Sequence, residues 1–325
     1  MKAAILGMTM SQPVAALATT APGVKPASPA DKFQIWRSEA VRALTARGDA
    51  NSVATAAALS FTSSFAAPGA APTALQLIAR ASDLAPENAA IGWLHLQLCA
   101  TAPACDSREA ATVLRWVDAD NAAAWLAELS TAQKDKDTVE VERVLADMAR
   151  GTRFDLYYNQ IMVMMFDALT GVRHELPGGV VASDTARLTA LAGVANAEIV
   201  PAFSSLIDAC REAAPRSERR EDCMKVAKIM QRGDTVIVQM VGFGVERRLI
   251  PADSKEAKSL AERRRLLEWR MSAAGKLDVA ILPWTQSART RTRLAAMRSR
   301  PREEDVCIAL LREHKMPLEP AESHR

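Results

Sequence analysis

The apolar positions of this chain follow a helical rather than a strand-like period. From residue 33 to residue 44 large or small apolar side chains recur every three or four positions, which places them on one face of a helix that Gly48 ends. A second helix is predicted over 52–65, and two prolines within 68–72 break the pattern. The sequence therefore predicts helices separated by short turns.

From residue 73 the predicted helices come in pairs. The pairs span 73–98, 106–129 and 137–169, and Pro86 marks the turn of the first. The second and third pairs each begin at an aspartate that is followed three positions later by a glutamate, a pattern typical of helix N-termini. A third partner helix is predicted to start at Asp155. This regular reversal of chain direction is typical of a solenoid of helix-turn-helix units.

One helix junction occurs twice. Asn88 and Asn121 are each followed by two alanines and then by a tryptophan, Trp93 or Trp125, and the two asparagines are 33 positions apart. Trp125 lies one position nearer its asparagine than Trp93 does. The junctions resemble those of the tetratricopeptide repeat family, in which a short turn precedes a small residue and an aromatic one. The resemblance covers about 50–170 and implies stacked antiparallel helix pairs.

The second half of the chain shows no clear repeat. Its predicted helices cover 183–196, 201–211, 220–232, 234–249, 254–272, 284–298 and 301–314. The predicted fold class is thus all-α: a tetratricopeptide-like helix-turn-helix repeat solenoid over 30–175, followed by an irregular helical C-terminal region over 180–316. Residues 317–325 are expected to be a tail.

The first residues are typical of an exported protein. Lys2 precedes a mildly apolar run that ends in Ala16-Leu17-Ala18, so we expect a signal peptide over 1–18 that is cleaved after Ala18, and a flexible spacer over 19–29. A disordered N-terminus is the alternative. No later segment has eighteen uninterrupted apolar residues, so no membrane span is expected.

The cysteines fit an oxidising compartment such as the periplasm. Cys99 and Cys105 flank one predicted connection, and Cys210 and Cys223 flank another, so each pair is predicted to form a local disulfide. Cys307 is left over and is expected to be buried. The alternative is five reduced thiols in the cytoplasm. Neither a cysteine pair at metal-binding spacing nor clustered histidines occur, so no metal or other cofactor is predicted.

Positive charge is concentrated in the second half. Residues 211–325 carry 25 basic and 17 acidic side chains, whereas the whole chain has a net charge of +3. Two arginine clusters form a candidate surface for anionic partners: Arg263, Arg264, Arg265, Arg289, Arg291 and Arg293. Solvated helix faces are the favoured interpretation, and nucleic-acid binding is not predicted because few aromatic residues accompany the arginines.

Other candidate motifs favour structural roles. The Gly242-Phe243-Gly244 run lacks the third glycine of a dinucleotide-binding loop, so a helix starting near Asp234 or Thr235 is the favoured interpretation. The tryptophans at 93, 116 and 125 are expected to pack between helices rather than to line a ligand groove. Signatures of hydrolases, P-loops and zinc peptidases are missing, and no catalytic residue is predicted.

The predicted function is therefore non-enzymatic. The chain is expected to be a periplasmic helical-repeat protein that binds a protein or peptide partner. Two alternatives remain: an enzyme acting on a cell-envelope polymer, which would need a cleft with a carboxylate of raised pKa, and an inhibitor or immunity-type binder of a secreted toxin.

Overall fold

The computed structural model describes residues 29–61, 70–102, 105–172, 175–176, 180–181, 184–211, 217–279 and 283–320. Within these ranges the fold is all-helical apart from one antiparallel pairing of two-residue strands, β1 (Glu175–Leu176) and β2 (Val180–Val181). The all-α prediction is thereby confirmed. The predicted signal peptide over 1–18 and almost all of the spacer over 19–29 lie outside the described residues.

Eight α-helices form the first half of the described chain. Their bounds are α1 (Pro29–Arg47), α2 (Ala50–Ser60), α3 (Ala70–Leu84), α4 (Ala89–Ala100), α5 (Ser107–Val117), α6 (Leu126–Lys134), α7 (Thr138–Arg150) and α8 (Tyr158–Leu169). A short 3₁₀ helix at Ala122–Trp125 precedes α6. The predicted second helix was expected to continue to Phe65; α2 ends at Ser60, and residues 62–69 lie outside the described part.

Seven α-helices follow in the second half. They are α9 (Asp184–Glu198), α10 (Ser204–Arg211), α11 (Glu218–Met230), α12 (Val236–Leu249), α13 (Lys255–Val279), α14 (Pro283–Ser299) and α15 (Glu303–Glu313). The Gly242-Phe243-Gly244 run lies inside α12, where the Thr235 side chain caps the first turn, so the helical interpretation of that motif is confirmed. Helix α13 extends seven residues beyond the predicted end at Ser272.

Consecutive helices pack against each other from α1 through α7, as expected for a chain that reverses at each turn. Other contacts join elements that are distant in sequence: α8 packs on α2, α11 on α7, α10 on α6, and α14 on both α8 and α9. Buried apolar residues from both halves form one continuous core cluster. The C-terminal region is therefore folded back on the helix pairs rather than appended to their end.

The helix starts follow the cap chemistry of the sequence. Asp49, Asp106 and Asp137 each accept a backbone N–H of the first turn of α2, α5 and α7. Gly48 adopts a φ of +76°, a left-handed conformation that suits the residue after the last turn of α1. These local signals explain why the predicted and observed starts of α5 and α7 agree, whereas α2 begins at Ala50, two positions before its predicted start.

The two repeated junctions share a cap but differ in the turn after it. The Asn88 side chain accepts the amides of Ala90 and Ile91 at 3.1 and 3.3 Å, and that of Asn121 accepts the amide of Ala123 at 3.1 Å. After Asn88 an α-helix begins at once, whereas after Asn121 the chain first makes the 3₁₀ turn. The one-position difference in tryptophan spacing accompanies this change.

The third junction differs from the prediction. Asp155 was expected to start a helix, but α8 begins only at Tyr158, after Tyr157 adopts a left-handed φ of +56°. The Asp155 amide instead donates to the Asn121 side chain at 2.9 Å, while the Asn121 amide group donates to the Asp155 carbonyl at 2.9 Å. These long-range hydrogen bonds hold the segment extended, which the local sequence pattern did not reveal.

Candidate binding groove

A groove of about 530 Å³ lies between α3, α4 and α5. Apolar and small residues make up most of its lining, and Gly92 of α4 forms part of it. A Cβ atom added at Gly92 would approach the Leu114 side chain to 3.3 Å, which is tighter than most packing contacts. The glycine therefore keeps α4 and α5 close together at this point.

Exposed apolar side chains border the groove on α5. Val113 lines the groove and is 48% exposed, and Trp116, one turn later on the same side of the helix, is 88% exposed. A tryptophan with this exposure contributes almost nothing to the core of the folded chain. Large apolar side chains exposed next to a groove are typical of protein interaction sites.

Three carboxylates line the same groove. They belong to Asp83 on α3, to Asp106 at the cap of α5 and to Glu109 in its first turn. Asp83 and Glu109 make no ion pair within the described part of the chain, and no lysine or arginine belongs to the described lining. The groove therefore combines an apolar floor with uncompensated negative charge.

A serine and a histidine hydrogen-bond to each other inside the groove. The Ser82 Oγ lies 3.0 Å from His95 Nδ1 and 3.1 Å from the Ile78 carbonyl oxygen. If the single hydroxyl proton is donated to the carbonyl, His95 donates its Nδ1–H and keeps Nε2 as an acceptor. Burial lowers the pKa of His95, although the charges of Asp83 and Glu109 oppose that shift, so the neutral ring is favoured near pH 7.

Both predicted cysteine pairs lie at disulfide distance. The Sγ atoms are 2.01 Å apart in Cys99 and Cys105 and 2.10 Å apart in Cys210 and Cys223. Cys105 lines the groove, so the first pair ties the end of α4 to the start of α5 at one end of it. Cys307 is buried, as expected, with its sulfur 3.3 Å from that of Met271.

The first arginine cluster lies on the exposed face of α13, where acidic neighbours pair with it. Arg264 pairs with Glu268 at 2.8 Å and Arg265 with Glu262 at 2.6 Å, both within the helix. Arg263 lies over the Phe243 ring, with its guanidinium 3.8 Å from Glu246. These contacts favour the interpretation as solvated helix faces.

The second cluster, on α14, does not form one surface. Arg289 donates to the Leu277 carbonyl, Arg291 is exposed, and Arg293 is partly buried near Tyr158 and Glu303. The three side chains thus have three different environments. Whether either cluster binds an anionic partner stays a prediction.

The three tryptophans occupy unlike surroundings. Trp93 is fully buried, and its Nε1–H donates to the Ile199 carbonyl at 3.1 Å, as expected for packing between helices. Trp125 is partly buried beneath the Arg115 guanidinium, 4.1 Å from the ring centroid. For Trp116 the packing expectation is wrong, because α5 buries Ala110, Ala111 and Leu114 while Trp116 lies on another side of the helix and is 88% exposed.

Carboxylates of raised pKa occur in the core rather than in this groove. Asp234 is buried, and its two oxygens accept the amides of Leu156 and Tyr158 at 2.9 and 3.3 Å. Glu303 accepts the Val236 amide at 2.8 Å. Burial is the main cause that raises the pKa of both groups. Because both hold backbone amides at helix starts, their contacts are those of structural groups.

The sequence did not single out the groove residues. Ser82, His95 and Glu109 lie on three successive helices, each 13 or 14 positions after the last. That spacing could have suggested one polar edge along the helix pairs, but only the packing shows which faces meet.

Among the described residues, no cluster of histidine, cysteine and carboxylate side chains suits a metal ion, and none of the helices has the length and hydropathy of a membrane span. No protein-family model, curated protein or solved structure matches the chain significantly.

Proposed function

We propose that this chain is a non-enzymatic binding protein that holds a segment of a protein or peptide partner in the groove between α3, α4 and α5. The observation that carries the proposal is the coincidence of a concave site with exposed apolar side chains, Val113 in its lining and Trp116 one turn further along α5. Neither side chain packs into the core of the folded chain, and the exposure of large apolar side chains to water is unfavourable. A bound segment would cover both.

We further propose that the helix pairs form a tetratricopeptide-like repeat array. Its support is the cap shared by Asn88 and Asn121 and the sequential packing of α1 through α7. Helical arrays commonly present binding surfaces that several consecutive helices share. The groove formed by α3, α4 and α5 is shared by three consecutive helices in this way.

The proposed compartment is the periplasm. Two cysteine pairs at disulfide distance support it, because local disulfides persist in oxidising compartments. The apolar run that ends at Ala18 also supports export. We place the protein there as a binding partner of another envelope or secreted protein.

A matched pair of substitutions tests the groove. Val113→Lys places a positive charge inside the groove, and Val139→Lys places the same charge on α7, where Val139 is 79% exposed and outside the groove lining. We expect proteins captured from envelope extract by the unaltered chain to be retained by Val139→Lys and lost by Val113→Lys. Equal unfolding midpoints for the two variants would show that both are folded.

The opposite pattern contradicts the proposal. If Val113→Lys captures the same proteins as the unaltered chain, or if both variants lose them equally, the partner does not bind in this groove.

A further inference from the structure

We infer that the segment bound in the groove is cationic: an extended peptide stretch that carries arginine or lysine next to apolar side chains. The inference rests on the proposed function and deepens it, since it gives the chemistry of the partner. It depends on how charge is distributed around the groove.

Negative charge lines the groove without compensation from the described residues. Some carboxylates elsewhere on the described surface are paired with arginines, as Glu128 is with Arg115 at 2.7 Å, whereas the groove brings its carboxylates together in a partly apolar lining that holds no described lysine or arginine. In the groove, Asp83 and Glu109 have no such partner within the described ranges. A cationic side chain from outside would supply the missing charge, and in a partly apolar groove that attraction is screened less than on an open surface.

The other polar and aromatic groups favour the same ligand. A Nδ1–H bond to Ser82 leaves Nε2 of His95 as a hydrogen-bond acceptor, which suits a donor such as a guanidinium or an ammonium. The exposed ring of Trp116 offers a face on which an arginine could stack. Trp125 already holds Arg115 in this way, 4.1 Å from its centroid.

The apolar part of the groove sets a second requirement. Val113 and Val117, which are 48% and 37% exposed, line the α5 side of the groove, and the partly buried Ala79 and Ala89 belong to the lining on the α3 and α4 sides. A free amine or a purely polar polycation would leave these side chains in contact with water. A peptide in which basic and apolar residues alternate would pair with the carboxylates and also cover the apolar lining, so we commit to that class of occupant.

Selection from a random peptide library tests the inference without assuming a sequence. The full chain, immobilised in its oxidised form, is used to select phage-displayed peptides, in parallel with two variants. Asp83→Asn/Glu109→Gln removes two charges from the groove. The control Asp253→Asn/Glu256→Gln removes two charges from exposed positions at the start of α13.

We expect the unaltered chain and the control to enrich peptides that combine arginine or lysine with leucine, isoleucine or valine. A synthetic peptide of the enriched sequence should bind about tenfold more weakly to Asp83→Asn/Glu109→Gln, as expected for two partly exposed ion pairs. Its affinity for the unaltered chain should fall as salt rises.

Three outcomes overturn the inference. They are enrichment of acidic or uncharged peptides, no enrichment at all, and basic peptides that bind the groove variant as well as the control. The first also distinguishes the two proposals: uncharged peptides that are lost on Val113→Lys would leave the binding function intact and refute only the cationic partner.

Discussion

At the scale of single residues, the most constrained group is the carboxylate of Asp234. It lies in the core, where it accepts the amides of Leu156 and Tyr158 and links the start of α8 to the turn before α12. Its backbone carbonyl also accepts the Glu303 amide at 2.7 Å. Burial raises the pKa of Asp234, and the negative charges of Asp155 and Glu303 act in the same direction. The folded protein therefore binds a proton here more tightly than the unfolded chain does.

The raised pKa of Asp234 determines how the stability of the protein depends on pH. Because the folded-state pKa is raised above 3.8, the contribution of Asp234 to stability is present at low pH and is lost as pH rises through the folded-state value. Asp234→Asn keeps the size of the side chain but removes the titration. It also leaves one backbone amide without an acceptor, a cost of about 1–3 kcal/mol.

We therefore predict that Asp234→Asn destabilises the protein more at pH 5 than at pH 7. The free energies of unfolding of both proteins, measured in urea at the two pH values, check this. The titration of His95 and of carboxylates that do not face Asp234 affects both proteins alike and cancels in the comparison. Asp155 and Glu303 do face it, and removal of the Asp234 charge relieves their repulsion at the higher pH, which enlarges the expected difference. A larger loss at pH 7 would mean that the charged form of Asp234 is the stabilising one, contrary to this account.

At the scale of secondary-structure elements, the two repeated junctions differ in the hydrogen bonds that their asparagine makes beyond the helix cap. Asn88 caps α4 and stays partly exposed, whereas Asn121 is fully buried. Besides capping the 3₁₀ turn, Asn121 exchanges hydrogen bonds with the backbone of Asp155 and donates to the Tyr157 hydroxyl at 3.1 Å. The second junction thus fixes the chain segment that leads into α8.

The matched substitutions Asn88→Ala and Asn121→Ala measure this difference. Loss of the Asn88 cap should cost about 1 kcal/mol in the free energy of unfolding, the usual cost of a lost helix cap. Loss of Asn121 should cost about 3 kcal/mol, because it also leaves buried backbone groups of Asp155 unpaired. Urea unfolding of both variants gives the two values, and equal losses would show that the long-range bonds of Asn121 contribute nothing.

The element scale is also where sequence reasoning was strongest. Cap residues such as Asp106 and Asp137 act within three positions of the helix that they start, so the sequence alone places those starts. The start of α8 was misplaced because Tyr157 and Asp155 are held by residues more than thirty positions away. The groove could not be predicted for the same reason, since its walls come from three helices whose facing sides depend on packing.

At the scale of the whole molecule, the two halves share one core. Helices α10 and α11 pack on α6 and α7, while α14 packs on α8 and α9, so the C-terminal region covers one side of the helix pairs. The groove lies at α3, α4 and α5, which have fewer contacts of this kind. The contacts of the C-terminal region thus leave the groove side of α3, α4 and α5 accessible.

The proposed export leads to a prediction for the whole chain. Protein isolated from the native host should begin at Thr19, and after unfolding it should show one reactive thiol, that of Cys307, since the other four cysteines are paired. Intact mass and thiol titration measure both quantities. A chain that retains Met1 would contradict cleavage after Ala18, and five titratable thiols after isolation without reductant would contradict an oxidising compartment.

The most direct test of the central claim is photo-crosslinking from inside the cell envelope. A benzophenone amino acid replaces Trp116 at the border of the groove in one strain and Val139 on α7 in another, since the native side chains are 88% and 79% exposed. If a partner binds in the groove, irradiation should give one adduct of defined mass from position 116 and none from position 139. The same adducts from both positions, or none from position 116, would contradict the account.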